Sequence, residues 1–531
     1  MQASKYAKGA ADGEIMLIPA NRLLDAARME FARLLPLLAD SGIDGSAAQA
    51  VAHALGLMQA REAGGVEYVR GQFRQLAQAL GSLGEMIDAS ETQAVIAQAA
   101  QIDDLAGLEA QWITALASAQ RAIQGANAAD LPADRRLALL RILVDWETAD
   151  RQAQIGQAVG GIDENATEIT REKLMAYLRD RFDDPGLVVT DLHPISGGFG
   201  KQTTIFAVEG ESLSGEYVIR RDIGENAGLD TSCHLIHREY PVIRAAFERG
   251  FPAPDALWLD TEHPLLPGGH FIVMRKAGGK VAGNFFGAQS AIPDDLADIL
   301  ADKMAQLHGI EPLHILGDLT DTIRSELWDL PLRDCVERYI RNWYDFYLRE
   351  QHTPSPALVA LYGWLLDNIP DSAGTPRLIH GDIGFHNFLI EDGQMTALVD
   401  WEFAHIGDPA EELGYVNVTV GPSLDWERFM ARYQAAGGKY VSPETLRFYG
   451  VWAYVRNASG ANILSTRLIS GLADDLKLAI LPYLHVPPFL QGATALIEAA
   501  GNGRQGPEAI MASGEVSRDD QSLMPPLASE T

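Results

Sequence analysis

A chain of 531 residues with 42 basic and 72 acidic side chains carries a formal net charge of −30. That field repels nucleic acid and anionic membranes, and no Lys/Arg-rich run offsets it, so neither is an expected partner. Hydrophobic content of 47% suits a globular chain, no apolar run approaches the roughly 20 residues that cross a bilayer, and two cysteines, Cys233 and Cys335, supply neither a disulfide framework nor a metal cluster.

The length implies about three structural units. Met1 to Glu14 lacks an apolar signal segment, which together with the cysteine usage predicts a cytoplasmic protein. From about Ile18 to Gly156 the apolar spacing is helical: Leu24, Ala27, Phe31, Leu34, Leu35 and Leu38 share one face, Val69, Phe73, Leu76 and Leu80 a second, and Leu137, Leu140 and Val144 a third. Breaks are expected at Ser41-Gly42, Gly64-Gly65 and Ala126 to Ala133. Residues 1–156 therefore read as an N-terminal all-α accessory domain, with Glu62, Glu67 and Asp145 on solvated faces and self-association or partner binding as its default role. Residues 157–170 read as a linker, and 501–531, rich in Gly, Ser, Pro and acids, as a disordered tail.

Residues 171–277 change period. A helix capped by Thr167 or Thr170 buries Leu174, Tyr177, Leu178 and Phe182, and strands follow at Val188 to His193, Thr203 to Val208, Tyr217 to Arg220 and Phe271 to Met274. Residues 278–500 are mainly helical, interrupted by a hairpin. The expected fold class is α+β: a small β-rich lobe, then a larger helical lobe. Between the first two strands, Ser196-Gly197-Gly198-Phe199-Gly200-Lys201 could close over phosphates with backbone N–H groups, or could be a plain glycine-rich turn. A Walker A loop is excluded, since Ile195 occupies its first glycine position and Gln202 follows Lys201. Arg220 is the expected phosphate-gripping cation and Glu239, on the next helix, its partner; Arg221 competes, as does an ordinary surface ion pair. Backbone groups of Met274 to Ala277 would meet the edge of adenine, with Met274 and Ile219 sandwiching its faces.

The most informative stretch is Leu378-Ile379-His380-Gly381-Asp382-Ile383-Gly384-Phe385-His386-Asn387, followed by Val399-Asp400-Trp401-Glu402. Phosphoryl transfer from ATP or another nucleoside triphosphate needs one carboxylate to orient the acceptor hydroxyl, and an amide oxygen and a second carboxylate to hold Mg²⁺. Asp382, Asn387 and Asp400 have those types. The turn Glu391-Asp392-Gly393-Gln394 reverses the chain and returns Asp400 beside Asn387; the competing reading is a surface hairpin with incidental acids. His380 is expected to support the loop by hydrogen bonding, Glu402 to support the metal ligands, and Asp408, before Pro409, to cap a helix. A zinc site of His380, His386 and His405 fits the surroundings less well than Mg²⁺. The small-molecule hydroxyl acceptor would lie against the helical lobe near Tyr454, Arg456 and Asn457, where Arg456 could hold a carboxylate, phosphate or CoA group, or simply sit on a packing helix.

From about Val188 to Leu490 the chain resembles the aminoglycoside-phosphotransferase-type family of small-molecule kinases, which have a bilobal protein-kinase-like fold. The marks are His380-Gly381-Asp382 through Asn387, Asp400-Trp401-Glu402, and Gly407-Asp408-Pro409 followed by Glu411-Glu412-Leu413. Within that family it is most similar to the branch associated with acyl-CoA dehydrogenases. The resemblance implies the base at Asp382, metal ligands at Asn387 and Asp400, and the phosphate cation at Arg220 with Glu239. It implies a hydroxyacyl-CoA or hydroxy acid as acceptor and a partner from acyl-CoA metabolism. Departures are Arg220 in place of lysine, Arg275-Lys276 at the hinge, and Gly384-Phe385-His386 where many relatives carry an arginine. The alternatives are a catalytically silent, partner-binding scaffold, or a kinase for an aminoglycoside or choline-like alcohol.

Overall fold

The architecture is a computed structural model that describes residues 46–128, 131–155, 169–195, 201–222, 235–261, 270–283, 292–310, 329–351, 353–371, 374–469 and 477–501. The helix expected around Leu24 to Leu38, the glycine-rich loop with Ser196, Gly197 and Gly198, nearly all of the linker and the tail beyond Gly501 lie outside the described residues.

Four helices open the described chain: α1 (Ser46–Leu83), α2 (Ser90–Ala99), α3 (Leu105–Ala128) and α4 (Ala133–Ile155). The break expected at Gly64-Gly65 is a kink inside α1, where Gly65 takes φ 45 and ψ −137, a left-handed turn of the chain that glycine adopts without a Cβ penalty. These helices share one hydrophobic core with the helical lobe. Leu76, Leu116, Ile123, Leu140 and Leu143 pack in the same cluster as Leu358, Leu361, Tyr362, Val455 and Leu490. Polar pins reinforce the seam: Gln120 Nε2 donates to Ser355 O at 3.1 Å and Asn127 Nδ2 to Val359 O at 2.9 Å.

The small lobe begins with α5 (Arg171–Phe182), whose N-terminus is capped by the Thr170 hydroxyl accepting from Lys173 N at 3.3 Å. Strands β1 (Val188–Ile195), β2 (Lys201–Glu209), β3 (Gly215–Asp222), β4 (Ala256–Asp260) and β5 (Phe271–Arg275) form an antiparallel sheet in the order β1-β2-β3-β5-β4. Helix α6 (Ile236–Glu248) follows β3. Alternation along the strands sorts the two faces. Tyr217, Ile219, Phe271 and Val273 pack beneath α5, whereas Val218, Ile272 and Met274 face α6 and the helical lobe. Strand β4 was not among the expected strands.

The larger lobe comprises α7 (Asp294–His308), α8 (Leu332–Glu350), α9 (Pro356–Asp367), α10 (Ala410–Thr419), α11 (Trp426–Ala435), α12 (Pro443–Ile469), α13 (Lys477–Leu484) and α14 (Val486–Gly501). Between α9 and α10 run β7 (Arg377–Ile379), β8 (Phe388–Glu391), β9 (Gln394–Leu398) and β10 (His405–Gly407). Strand β7 pairs with β10, and the short β6 (Lys280–Val281) pairs with β8, tying the hinge to the hairpin. The result is an α+β, two-lobed, kinase-like fold with additional N-terminal helices. No helix among the described residues is long and apolar enough to cross a membrane.

Candidate active site

The β8–β9 hairpin positions the two expected metal ligands. Glu391 pairs with Gln394, so Asp392-Gly393 forms a tight two-residue turn, with φ 49 and 72 at its centre, the left-handed pair that matches strand twist. Asn387 and Asp400 flank the hairpin, and Val399 N donates to Asn387 O at 2.9 Å. Asp400 itself is left-handed, at φ 66. The expected base, Asp382, follows β7 through Gly381, whose φ is 80 and where an added Cβ would collide with the Phe403 carbonyl. Asn387 Nδ2 donates to Asp382 O at 2.9 Å and to Asp382 Oδ2 at 3.1 Å. This leaves the Asn387 side-chain oxygen as the atom for a cation. Asp382, Asn387 and Asp400 thus stand together.

Asp382 has neighbours the sequence did not assign to it. His386 Nε2 lies 3.3 Å from Oδ2, and the Tyr415 hydroxyl donates to Oδ1. Burial pushes the Asp382 pKa up, but His386, Arg456 and Tyr415 outweigh it and hold the carboxyl below the usual carboxylate range. The loop beneath is fixed by Glu412, which accepts from the backbone N–H of His380 and of Gly381 (2.9 Å) and pairs with His308 Nε2 at 2.7 Å. His380 is buried, bonds Val399 O through Nε2 at 3.0 Å and accepts from Asp382 N at Nδ1. Burial lowers its pKa. Asp408 accepts from Ala410 N at 3.0 Å and from the Tyr449 hydroxyl at 3.0 Å, at the start of α10.

Across the cleft, Arg220 Nε bonds both oxygens of Glu239 at 3.1 and 3.3 Å, and Nη2 reaches Asp400. Arg221 lies on the opposite sheet face, bonded to Gln202 Oε1 at 2.7 Å, so strand parity selects Arg220. A second cation, Lys201, stands at the start of β2 opposite Asp222, 97% of its side chain buried, with Nζ 3.9 Å from Glu402 Oε2. Among the described residues, four carboxylates (Asp222, Glu239, Asp400, Glu402) therefore meet two cations (Arg220, Lys201). The imbalance falls on Glu402: burial first and Asp400 next raise its pKa to about 7, and its buried Oε2 lacks a hydrogen-bond partner.

Three expectations change. Ile219 packs in the core under α5, on the face away from Arg220, so it cannot sandwich adenine with Met274; Val218 shares Met274's side. The hinge amides of Arg275 and Lys276 already donate to Asp255 O and Glu216 O at 3.0 and 3.1 Å. That removes these two N–H groups, though not the carbonyls of the same residues, from those that could pair with adenine. The hinge cations are paired as well, Arg275 with Asp255 and Lys276 with Glu216. Arg456 is 3% exposed, its guanidinium 5.2 Å from the ring centroids of both Phe403 and Tyr415, with Nη1 3.6 Å from Glu411. It serves the core beneath Asp382 rather than an open surface. Tyr454 packs against Phe489 and Gly492 of α14, and Asn457, one helical turn on, is half-buried.

The model of the phosphotransferase enzyme family matches residues 191–449. This part of the chain is similar to that family. The chain is 29% identical over 207 residues to acyl-CoA dehydrogenase family member 11 of Rattus norvegicus, covering 38% of this chain and 25% of that protein. Over 77 residues the chain is 39% identical to viomycin phosphotransferase of Streptomyces vinaceus, covering 14% of this chain and 24% of that one. Macrolide 2′-phosphotransferase MphH of Brachybacterium faecium is 20% identical with a TM-score of 0.39, covering 58% of this chain and 97% of that structure. The chain thus spans about a quarter of the length of the curated relatives it matches first.

Proposed function

We propose that the protein transfers the γ-phosphoryl group of ATP, with Mg²⁺, to the hydroxyl of a small hydroxylated acyl compound, a hydroxyacyl-CoA or hydroxy acid. The observation that carries this is the meeting of Asp382, Asn387 and Asp400 around one hairpin, with Arg220 reaching Asp400 from the small lobe. Similarity to a phosphotransferase family supports the reaction type. The acyl class is supported by relatives named as acyl-CoA dehydrogenase family members.

The residues present fit a divalent cation. Asp400 and Glu402 crowd one another, the Asn387 side-chain oxygen is turned away from Asp382, and carboxylates outnumber cations among the described residues of the cleft. Asn387 and Asp400 would hold Mg²⁺, which when bound supplies positive charge against the β- and γ-phosphate oxygens. Arg220 would bind phosphate oxygens from the small-lobe side while Glu239 holds its stem. Asp382, kept ionised by its neighbours, accepts a hydrogen bond from the acceptor hydroxyl and takes its proton as the oxygen–phosphorus bond forms. A depressed carboxylate is a weak base, so its contribution is alignment with late proton transfer.

A panel assay tests the reading: ATP consumption with Mg²⁺ against hydroxyacyl-CoAs, hydroxy acids, sterol-like alcohols and aminoglycosides, with products identified by mass spectrometry. A phosphorylated hydroxyacyl product is expected. Turnover confined to aminoglycosides would move the acceptor to the antibiotic class, and nucleotide binding without any turnover would favour a scaffold.

A further inference from the structure

The carboxylate of Asp382 is engaged at both oxygens, and the two are engaged differently. Oδ2 faces its own loop, with Asn387 Nδ2 at 3.1 Å and His386 Nε2 at 3.3 Å. Oδ1 accepts from the hydroxyl of Tyr415, which arrives from α10 and is 2% exposed. An ionised carboxylate offers about four lone-pair sites. With two neighbours on Oδ2 and one on Oδ1, the open site is on Oδ1, beside the tyrosine.

A carboxylate left to itself has no fixed plane, because its terminal torsion is broad and roughly two-fold. Two neighbours on one oxygen leave the other free to swing about them, and a donor on the second oxygen stops the swing. Tyr415 is well placed to stay a donor. Burial and the adjacent Asp382 carboxylate raise its pKa far above the ordinary tyrosine value. The Arg456 guanidinium, clamped between the Tyr415 and Phe403 rings at 5.2 Å from each, anchors the ring and, through its charge, favours donation toward Asp382. Arg456 is itself held by Glu411, which also accepts from Trp452 Nε1 at 3.0 Å.

We propose that Tyr415 is a positioning residue for phosphoryl transfer: its hydroxyl fixes the plane of the Asp382 carboxylate and directs the acceptor hydroxyl to the remaining lone pair of Oδ1. The inference rests on the function proposed above. Tyr415 exchanges no proton in the reaction. The acceptor's proton goes to Asp382 and the new bond joins the acceptor oxygen to phosphorus, as in the unassisted scheme.

Tyr415→Phe removes one hydroxyl from a ring already seated between its neighbours. It should lower kcat about 10- to 100-fold, the scale expected when a reacting group is displaced by about an ångström. Nucleotide affinity and acceptor KM should stay at wild-type values. Added to Asp382→Asn, the same change should lower the residual rate no further, since Tyr415 acts through that carboxylate. A wild-type kcat in Tyr415→Phe overturns the inference. So does a loss of rate matched by a loss of nucleotide affinity, or a further fall in the double variant. If wild-type protein transfers phosphate and Asp382→Asn does not, a silent Tyr415→Phe defeats this inference alone; if Asp382→Asn is as active as wild type, the functional reading falls with it.

Discussion

Two buried arginine–glutamate pairs, one in the N-terminal helices and one in the cleft, are built from the same residue types to opposite ends. Arg151 bonds Glu147 one turn back on α4 at 2.9 and 3.1 Å, donates to Pro482 O at 3.2 Å and to Asn462 Oδ1 at 3.1 Å, and the second Glu147 oxygen accepts from Ala357 N at 3.2 Å. Each charge in that network is answered, and the network stitches α4 to α9, α12 and α13. Arg220 and Glu239 are as deeply placed, yet Arg220 also answers Asp400, with Glu402 close enough to pull on it. A closed network is structure. An open one, with surplus carboxylates and a buried oxygen at Glu402 without a hydrogen bond, is where the proposed function would seat a cation and phosphates.

The contrast can be broken from either side. Arg151→Ala leaves Glu147 buried and unpaired, so it should cost about 3–5 kcal/mol of stability in urea denaturation, while the folded fraction keeps wild-type kcat. Arg220→Ala should instead cost about 10²- to 10³-fold in kcat/KM by steady-state kinetics, the scale of losing one preorganised charge at a reacting phosphate. Glu402→Gln removes the surplus charge. At neutral pH it should raise the stability of the ligand-free protein by on the order of 1–3 kcal/mol, and calorimetry should show the stabilisation by Mg²⁺ falling.

The smallest effect concerns Glu412. Burial raises its pKa, but the His308 bond and charge, the His380 charge and the Gly381 amide outweigh it and hold it below the ordinary 4.5. A depressed carboxyl contributes stability above its unfolded value and loses it as pH falls through the folded value. Wild type should therefore lose stability as the pH falls below 4.5 that Glu412→Gln does not lose, read from melts in acid.

What the sequence disclosed follows the range of the interactions. The catalytic hairpin was legible because Asp392-Gly393 demands a left-handed pair and its chemistry lies within a few residues of the turn. The choice of Arg220 over Arg221, and the wrong choice of Ile219, turn on strand parity. The signal was present, since Val218 and Arg220 share a face that Ile219 does not. Arg456 was open to two readings, a substrate contact or a packing helix, and its neighbours Val451, Trp452, Ala453, Val455 and Ala458 mark a helix apolar on most sides. Tyr415, Glu412 and His308 carried no local sign of their roles. Their contacts to the loop and to each other span 33, 32 and 104 residues. The N-terminal helices were legible as helices, but their shared core with α9, α12 and α14 is a matter of distant packing partners.

The most direct test of the central claim compares wild type with Asp382→Asn for Mg²⁺-dependent ATP binding by calorimetry and for phosphate transfer to the panel by mass spectrometry. The open cleft predicts near-equal nucleotide binding in both proteins and transfer only in wild type. Transfer by Asp382→Asn at the wild-type rate would contradict it.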